Sequence, residues 1–136
     1  MPVPDGAEAF AYAYAVVRVV PAVEREEFVN AGVIAFCRPS RYLGARVFLD
    51  RPRLAAIAPA LDLDEVERRL ALIERICVGG RAAGPFAAFS ASERFYWLAA
   101  PRSTTIQTSP VHFGLTHDAA ASLDELFTKL VPLLAD

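Results

Sequence analysis

Lysine is almost absent from this 136-residue chain: Lys129 stands against thirteen arginines. Arginine suits phosphate recognition, because its planar fork matches the oxygens. The chain is also rich in Ala, Pro, Gly and Val, so GC-rich coding gives the same bias without any ligand. Cysteine is scarce too. Cys37 and Cys77 have no short spacing between them, so no CxxC redox or zinc motif is present. Each lies in an apolar run, where a lone thiol behaves as a small hydrophobe. Free, buried thiols and a reducing, cytoplasmic compartment are the expectation.

Long apolar runs are missing as well. The longest, Ala9 to Val17, is closed by Arg18 and is too short to span a bilayer. The first fifteen residues carry Asp5 and Glu8 and no base, which is not the pattern of a secretory signal. No GxxxxGK[ST] or GxGxxG loop, no HExxH and no nucleophile elbow occurs. No cofactor and no metal site is therefore expected. His112 and His117 with Asp118 are too few ligands for zinc. Ser109, His112 and Asp118 lie within ten residues, whereas a catalytic triad is usually assembled from distant segments.

Apolar residues make up 54% and charged residues 22%, the profile of a folded globule. The length fits one domain over residues 1–136, with 1–10 as a loose start. The high apolar share leans toward a buried contact with a partner or a second copy. Net charge is −2, which gives no global attraction to nucleic acid or anionic lipid. The exception is local: Arg38, Arg41, Arg46, Arg51 and Arg53 face only Asp50 within residues 38–53.

Periodicity gives the fold. Residues 11–20 alternate with period two and read as a strand. Residues 28–37 are apolar at both parities, as in a central strand covered on both faces. After the turn at 38–41, residues 42–49 return as a third strand in an antiparallel hairpin. Asp50 caps a short helix running to Pro59. A second helix over 62–78 places Leu63, Val66, Leu70, Ile73 and Cys77 on one face, with Gly79-Gly80 as its stop. Residues 79–91 read as a loop, 92–99 as a helical turn or a strand, with the aromatic run Phe95-Tyr96-Trp97 favouring strand, 103–108 as a short polar strand, and 111–113 as its continuation past Pro110. Asp118 or Ser122 caps a last helix carrying Leu123, Leu126, Phe127, Leu130 and Leu134, with Pro132 ending its regular part. The expected class is α+β, an antiparallel sheet of four to five strands with three helices packed on it.

The polar segment 94–118 is the candidate site. Arg102, Ser103, Thr104, Gln107, Thr108, Ser109, His112 and His117 crowd a region with few other charges, a donor set fit for a carboxylate, a phosphate or a peptide backbone. The alternative is a polar edge strand whose hydroxyls serve local turns and caps. Arg18 interrupts an apolar strand; a structural pair with an acid such as Glu27 accounts for it as well as a site does.

YAVVRVVP at 14–21, EFVNAGVIAF at 27–36 and WLAAPRSTTIQTSPVHFGLTHD at 97–118 resemble the bacterial domain-of-unknown-function 3037 family, in the same order and over most of the chain. Val19 replaces the aromatic residue associated with the first motif. The resemblance implies a small stand-alone protein, and an association of some members with neighbouring HipA-type kinases. The residues matching the motifs include Arg18, Glu27, Asn30, Gly32, Arg102, Ser103, Thr104, Gln107, Ser109, Pro110 and His112. Several are polar, which core packing does not require. Three readings follow. The first is a non-enzymatic accessory protein acting with a protein partner or a second copy. The second is a small anion-binding domain, an enzyme or not, using Arg18, Asn30, Arg102, Ser103, Thr104, Gln107, Ser109 and His112. The third, ranked last, is nucleic-acid binding through the 38–53 arginines.

Overall fold

A computed structural model describes residues 8–131. The chain runs β1 (Phe10–Val19), β2 (Val29–Cys37), β3 (Tyr42–Val47), α1 (Arg51–Ile57), α2 (Leu63–Val78), α3 (Ala91–Leu98), β4 (Ile106–Thr108), β5 (His112–Thr116) and α4 (Ala119–Leu130), with 3-10 segments at Val23–Arg25 and Gly80–Ala88. All strand pairs are antiparallel. The order is β3-β2-β1-β4, and β5 pairs β1 as well. β4 lies beside Val17–Val19 and β5 beside Phe10–Tyr14, so the two share one edge of β1. The protein is thus α+β, with a five-stranded antiparallel sheet.

Each face of that sheet carries its own core. On one, Ala13, Val17, Val19, Ile34 and Phe36 pack with Leu54 of α1, Val66, Leu70 and Ile76 of α2, and Phe95 and Leu98 of α3. On the other, Tyr12, Val33, Ala35 and Cys37 pack with Ala119, Leu123 and Phe127 of α4. β2 lies between β1 and β3 and meets both cores, which is why its sequence is apolar at both parities. α2 follows its expected pattern: Asp62 accepts the Glu65 N–H at its start and Gly79 terminates it at φ 80°. Among the described residues no helix is long and apolar enough to cross a membrane.

The expectations need correction in several places. Residues 92–99, where strand was favoured over a helical turn, lie largely in helix α3. Ser90 Oγ accepts the Glu93 N–H at 3.1 Å, and Glu93 accepts the Ser90 N–H at 2.9 Å. This capping box nucleates a turn, and helical spacing then buries Phe95 and Leu98 together while Tyr96 and Trp97 face outward. Four α-helices therefore stand where three were expected, and the 79–91 loop holds a 3-10 segment. The polar strand is also shorter, since only Ile106–Thr108 pair with β1. Asp118 rather than Ser122 caps α4, accepting the Ala121 N–H at 3.2 Å. Pro132 and Leu134 lie outside the described residues, as do residues 1–7 of the loose start.

Candidate functional site

A bulge positions Arg18. Val17 pairs with Gly32 but Arg18 pairs with Asn30, so Ala31 is the extra residue. On its other side Arg18 pairs with Gln107. Arg18, Asn30 and Gln107 therefore form one cross-strand row, drawn from both halves of the chain. The expected Arg18–Glu27 pair does not form. Arg25 takes Glu27 at 2.6 Å and holds its carboxyl below the ordinary range by that hydrogen bond. The Arg18 guanidinium sits over the Phe28 ring at 4.1 Å, a cation–π contact, and its Nε is buried without a hydrogen-bond partner.

Most of the other polar residues are engaged by the fold. Asn30 Nδ2 donates to the Leu130 carbonyl at 3.0 Å, tying down the end of α4. Thr104 Oγ1 donates to Ile106 O and Gln107 Nε2 to Thr104 O, both at 2.9 Å, which closes the turn into β4. Arg102 caps α3: its Nη1 donates to Leu98 O at 2.8 Å and to Ala100 O at 3.1 Å, and its Nη2 to Trp97 O. A cation at a helix C-terminus satisfies orphan carbonyls and complements the dipole. Ser109 is buried between β4 and β5 and bonded to both Val16 and Pro110. His112 is exposed, its ring 5.3 Å from that of Tyr14. His117 donates from Nδ1 to Glu8 O at 3.0 Å, and Ser103 is exposed.

Two surfaces result. The first is a groove of about 330 Å³ between α2, the end of α3 and β4. Leu72, Ile73, Ile76, Trp97, Leu98 and Ile106 give it an apolar wall, and Arg102, Thr104, Gln107 and Thr108 bring polar atoms to it. Four residues of the polar segment, Arg102, Thr104, Gln107 and Thr108, thus meet at one cavity, while Arg18 and Asn30 lie in the row described above and His112 pairs with Tyr14, midway along β1. The second surface is the outer edge of β5. Among the described residues β5 pairs only with β1. Phe113 and Leu115 project from it 73% and 74% exposed, and Tyr96 is 48% exposed. A hollow of about 140 Å³ beside Phe113 is lined by Ala11, Ala13, Phe36, Arg38 and Tyr96.

The sequence reading passed over Phe113, Leu115, Leu72 and Trp97 as surface features. Pro110 was the available signal, since proline within a strand pattern marks an edge. Two of the 38–53 arginines are paired with acids. Arg46 pairs with Asp124 at 3.0 Å, and Arg51 with Asp64 at 2.9 Å and Glu67 at 3.1 Å. Arg38 donates to Ser92 Oγ at 3.0 Å. Both cysteines are free and buried, and burial pushes the Cys77 thiol up to about 12, far from a nucleophile's range.

The fold is thus an α+β arrangement with helices on both sheet faces, an apolar groove and, among the described residues, an edge strand unpaired on its outer side. The model of a family described as protein of unknown function (DUF3037) matches residues 14–131. The chain belongs to that family. No curated protein and no solved structure matches it.

Proposed function

We propose that this protein is a non-enzymatic accessory module that binds a protein partner by strand addition at β5. One observation carries the reading: two large apolar side chains, Phe113 and Leu115, stand almost fully exposed on an edge strand whose outer side is unpaired among the described residues. Proteins ordinarily protect such an edge with lysine, proline or charge. His112–Thr116 carries no Lys, Arg, Asp or Glu. In strand addition, main-chain hydrogen bonds supply affinity and adjoining hollows read alternate side chains. The hollow beside Phe113 supplies such a socket. Arg38 at its rim makes no ion pair among the described residues. The fitting occupant is an extended segment with an apolar residue for the hollow and an acid for Arg38. The buried, unpaired thiols fit a cytoplasmic place of action.

A HipA-type kinase, the partner that the family resemblance suggests for some members, is the first to test. Purified chain and kinase should associate at micromolar concentration in calorimetry. The double variant Phe113→Asp, Leu115→Asp should weaken that association by at least about thirtyfold while keeping the wild-type circular dichroism, because both side chains are solvent-exposed. No association at tens of micromolar, or equal binding by the double variant, overturns the proposal.

A further inference from the structure

We infer that the groove between α2, α3 and β4 is a separate small-molecule site for an amphipathic anion, a carboxylate with an apolar body. Its volume, about 330 Å³, falls at the small end of the roughly 300–1,000 Å³ typical of ligand sites. Its wall is built from Leu72, Ile73 and Ile76 on one side and Trp97, Leu98 and Ile106 on the other. An apolar slot of that kind takes a hydrocarbon chain or an aromatic ring.

Charge selects the head group. Arg102 lines the groove, and all of its hydrogen bonds go to neutral carbonyls, those of Trp97, Leu98 and Ala100. No carboxylate pairs with it among the described residues. Its positive charge is thus fixed in place by the cap and by the Trp97 ring, 4.4 Å from the guanidinium carbon, with no carboxylate opposite it. The second cation there, Arg69, pairs with Glu65 at 3.2 Å, a carboxylate it shares with Arg68 at 2.8 Å. The groove lining thus holds two arginines and no carboxylate, which favours an anionic head group. Thr108 lies in the same wall, its Oγ1 buried with no hydrogen-bond partner among the described residues, and unpaired buried hydroxyls are rare because they cost free energy. Arg102 already spends its free energy on α3, so the sequence cue and the structural cue converge on one residue with two duties.

Trp97 is the sole tryptophan and lines the groove, so its emission reports occupancy directly. Titration of the full chain with decanoate should give a saturable change, complete below roughly millimolar concentration. Decanol, the uncharged analogue of equal length, should bind at least about tenfold more weakly. Leu72→Glu places a negative charge on a groove residue that is 41% exposed and should abolish decanoate binding without unfolding the chain. The Phe113→Asp, Leu115→Asp variant should bind decanoate as the wild type does, which separates this site from the β5 edge. Absence of saturable binding, equal affinity for decanol, or unchanged binding by Leu72→Glu overturns the inference.

Discussion

Ser109 mends a break in the sheet by lending its side chain to Val16. The outer strand stops at Thr108 and resumes at His112. Between them the Ser109 N–H donates to Val16 O at 2.8 Å, and its Oγ accepts the Val16 N–H at 2.9 Å. Oγ in turn donates to Pro110 O at 2.9 Å. One buried serine therefore does what a pair of strand residues does elsewhere, and Pro110, which has no N–H to give, can follow it without orphaning β1.

Ser109→Ala should consequently leave the Val16 N–H buried and unpaired. An orphaned buried donor costs about 1–3 kcal/mol. Chemical denaturation should show a fall in midpoint of that size with little change in slope. Ser109→Thr, which keeps the hydroxyl, should recover part of the loss. Equal midpoints for Ser109→Ala and wild type would show that the hydroxyl does not carry the pairing.

Arg94 holds three pieces of chain with one guanidinium. Its Nη1 donates to Ile76 O at 2.6 Å and Cys77 O at 3.0 Å, and its Nε to Phe89 O at 3.2 Å. It thus ties the C-terminus of α2 to α3, two of the elements that wall the groove. Hydrogen bonds to a charged group contribute about 1.5–3 kcal/mol. Arg94→Met should lose about that much. Arg94→Lys should rescue little, because an ammonium cannot reproduce the fork. A thermal melt that ranks the lysine variant with wild type would contradict this geometry.

Gly32 belongs to the β1–β2 bulge, and the reason for glycine is room rather than backbone conformation. A Cβ there would lie 2.7 Å from the Arg46 carbonyl oxygen and 3.0 Å from Val47 Cγ1. A main-chain atom of β3 must move to admit it. Gly32→Ala should cost about 1–3 kcal/mol, the usual range for overpacking, and should disturb the Arg18–Asn30 register. Amide exchange at Asn30 and Ala31 should speed up most; uniform exchange across β2 would argue that the bulge is not the point of strain.

How far the sequence carried depends on which force decided each element. Period-two alternation in β1, the doubly apolar β2 and the capped amphipathic α2 are set by burial, and burial is written in residue order. α3 was missed because FYWL satisfies strand propensity, while the Ser90–Glu93 capping box, equally present in the sequence, was given no weight. The groove was half legible. Arg102, Thr104 and Gln107 stood out as polar, but Leu72 and Trp97 come from a helix face and a helix end that only packing brings together. Arg94 was invisible as a cap, since its acceptors are carbonyls seventeen and eighteen residues away. Arg18 kept its unusual character but not its expected partner, because a stacking ring one residue beyond Glu27 displaced the ion pair.

Burial of Cys77 couples the stability of the fold to alkaline pH. The thiol is 4% exposed against α2's neighbours, and desolvation of the thiolate pushes its pKa from 9.0 to about 12. In the unfolded chain it returns to the ordinary value. Stability from the neutral buried thiol is therefore fully present below about pH 9 and is lost as pH rises through the folded value, by about 1.4 kcal/mol per pH unit in between. Cys77→Val, which has no proton to lose, should flatten that part of the pH–stability curve by one proton. In the native wild type near pH 8, a thiol reagent should label Cys77 only at the rate of opening, and denaturant should release it at once. Rapid labelling of native Cys77, or an alkaline slope identical in the valine variant, would mean that the thiol is not desolvated where the fold places it.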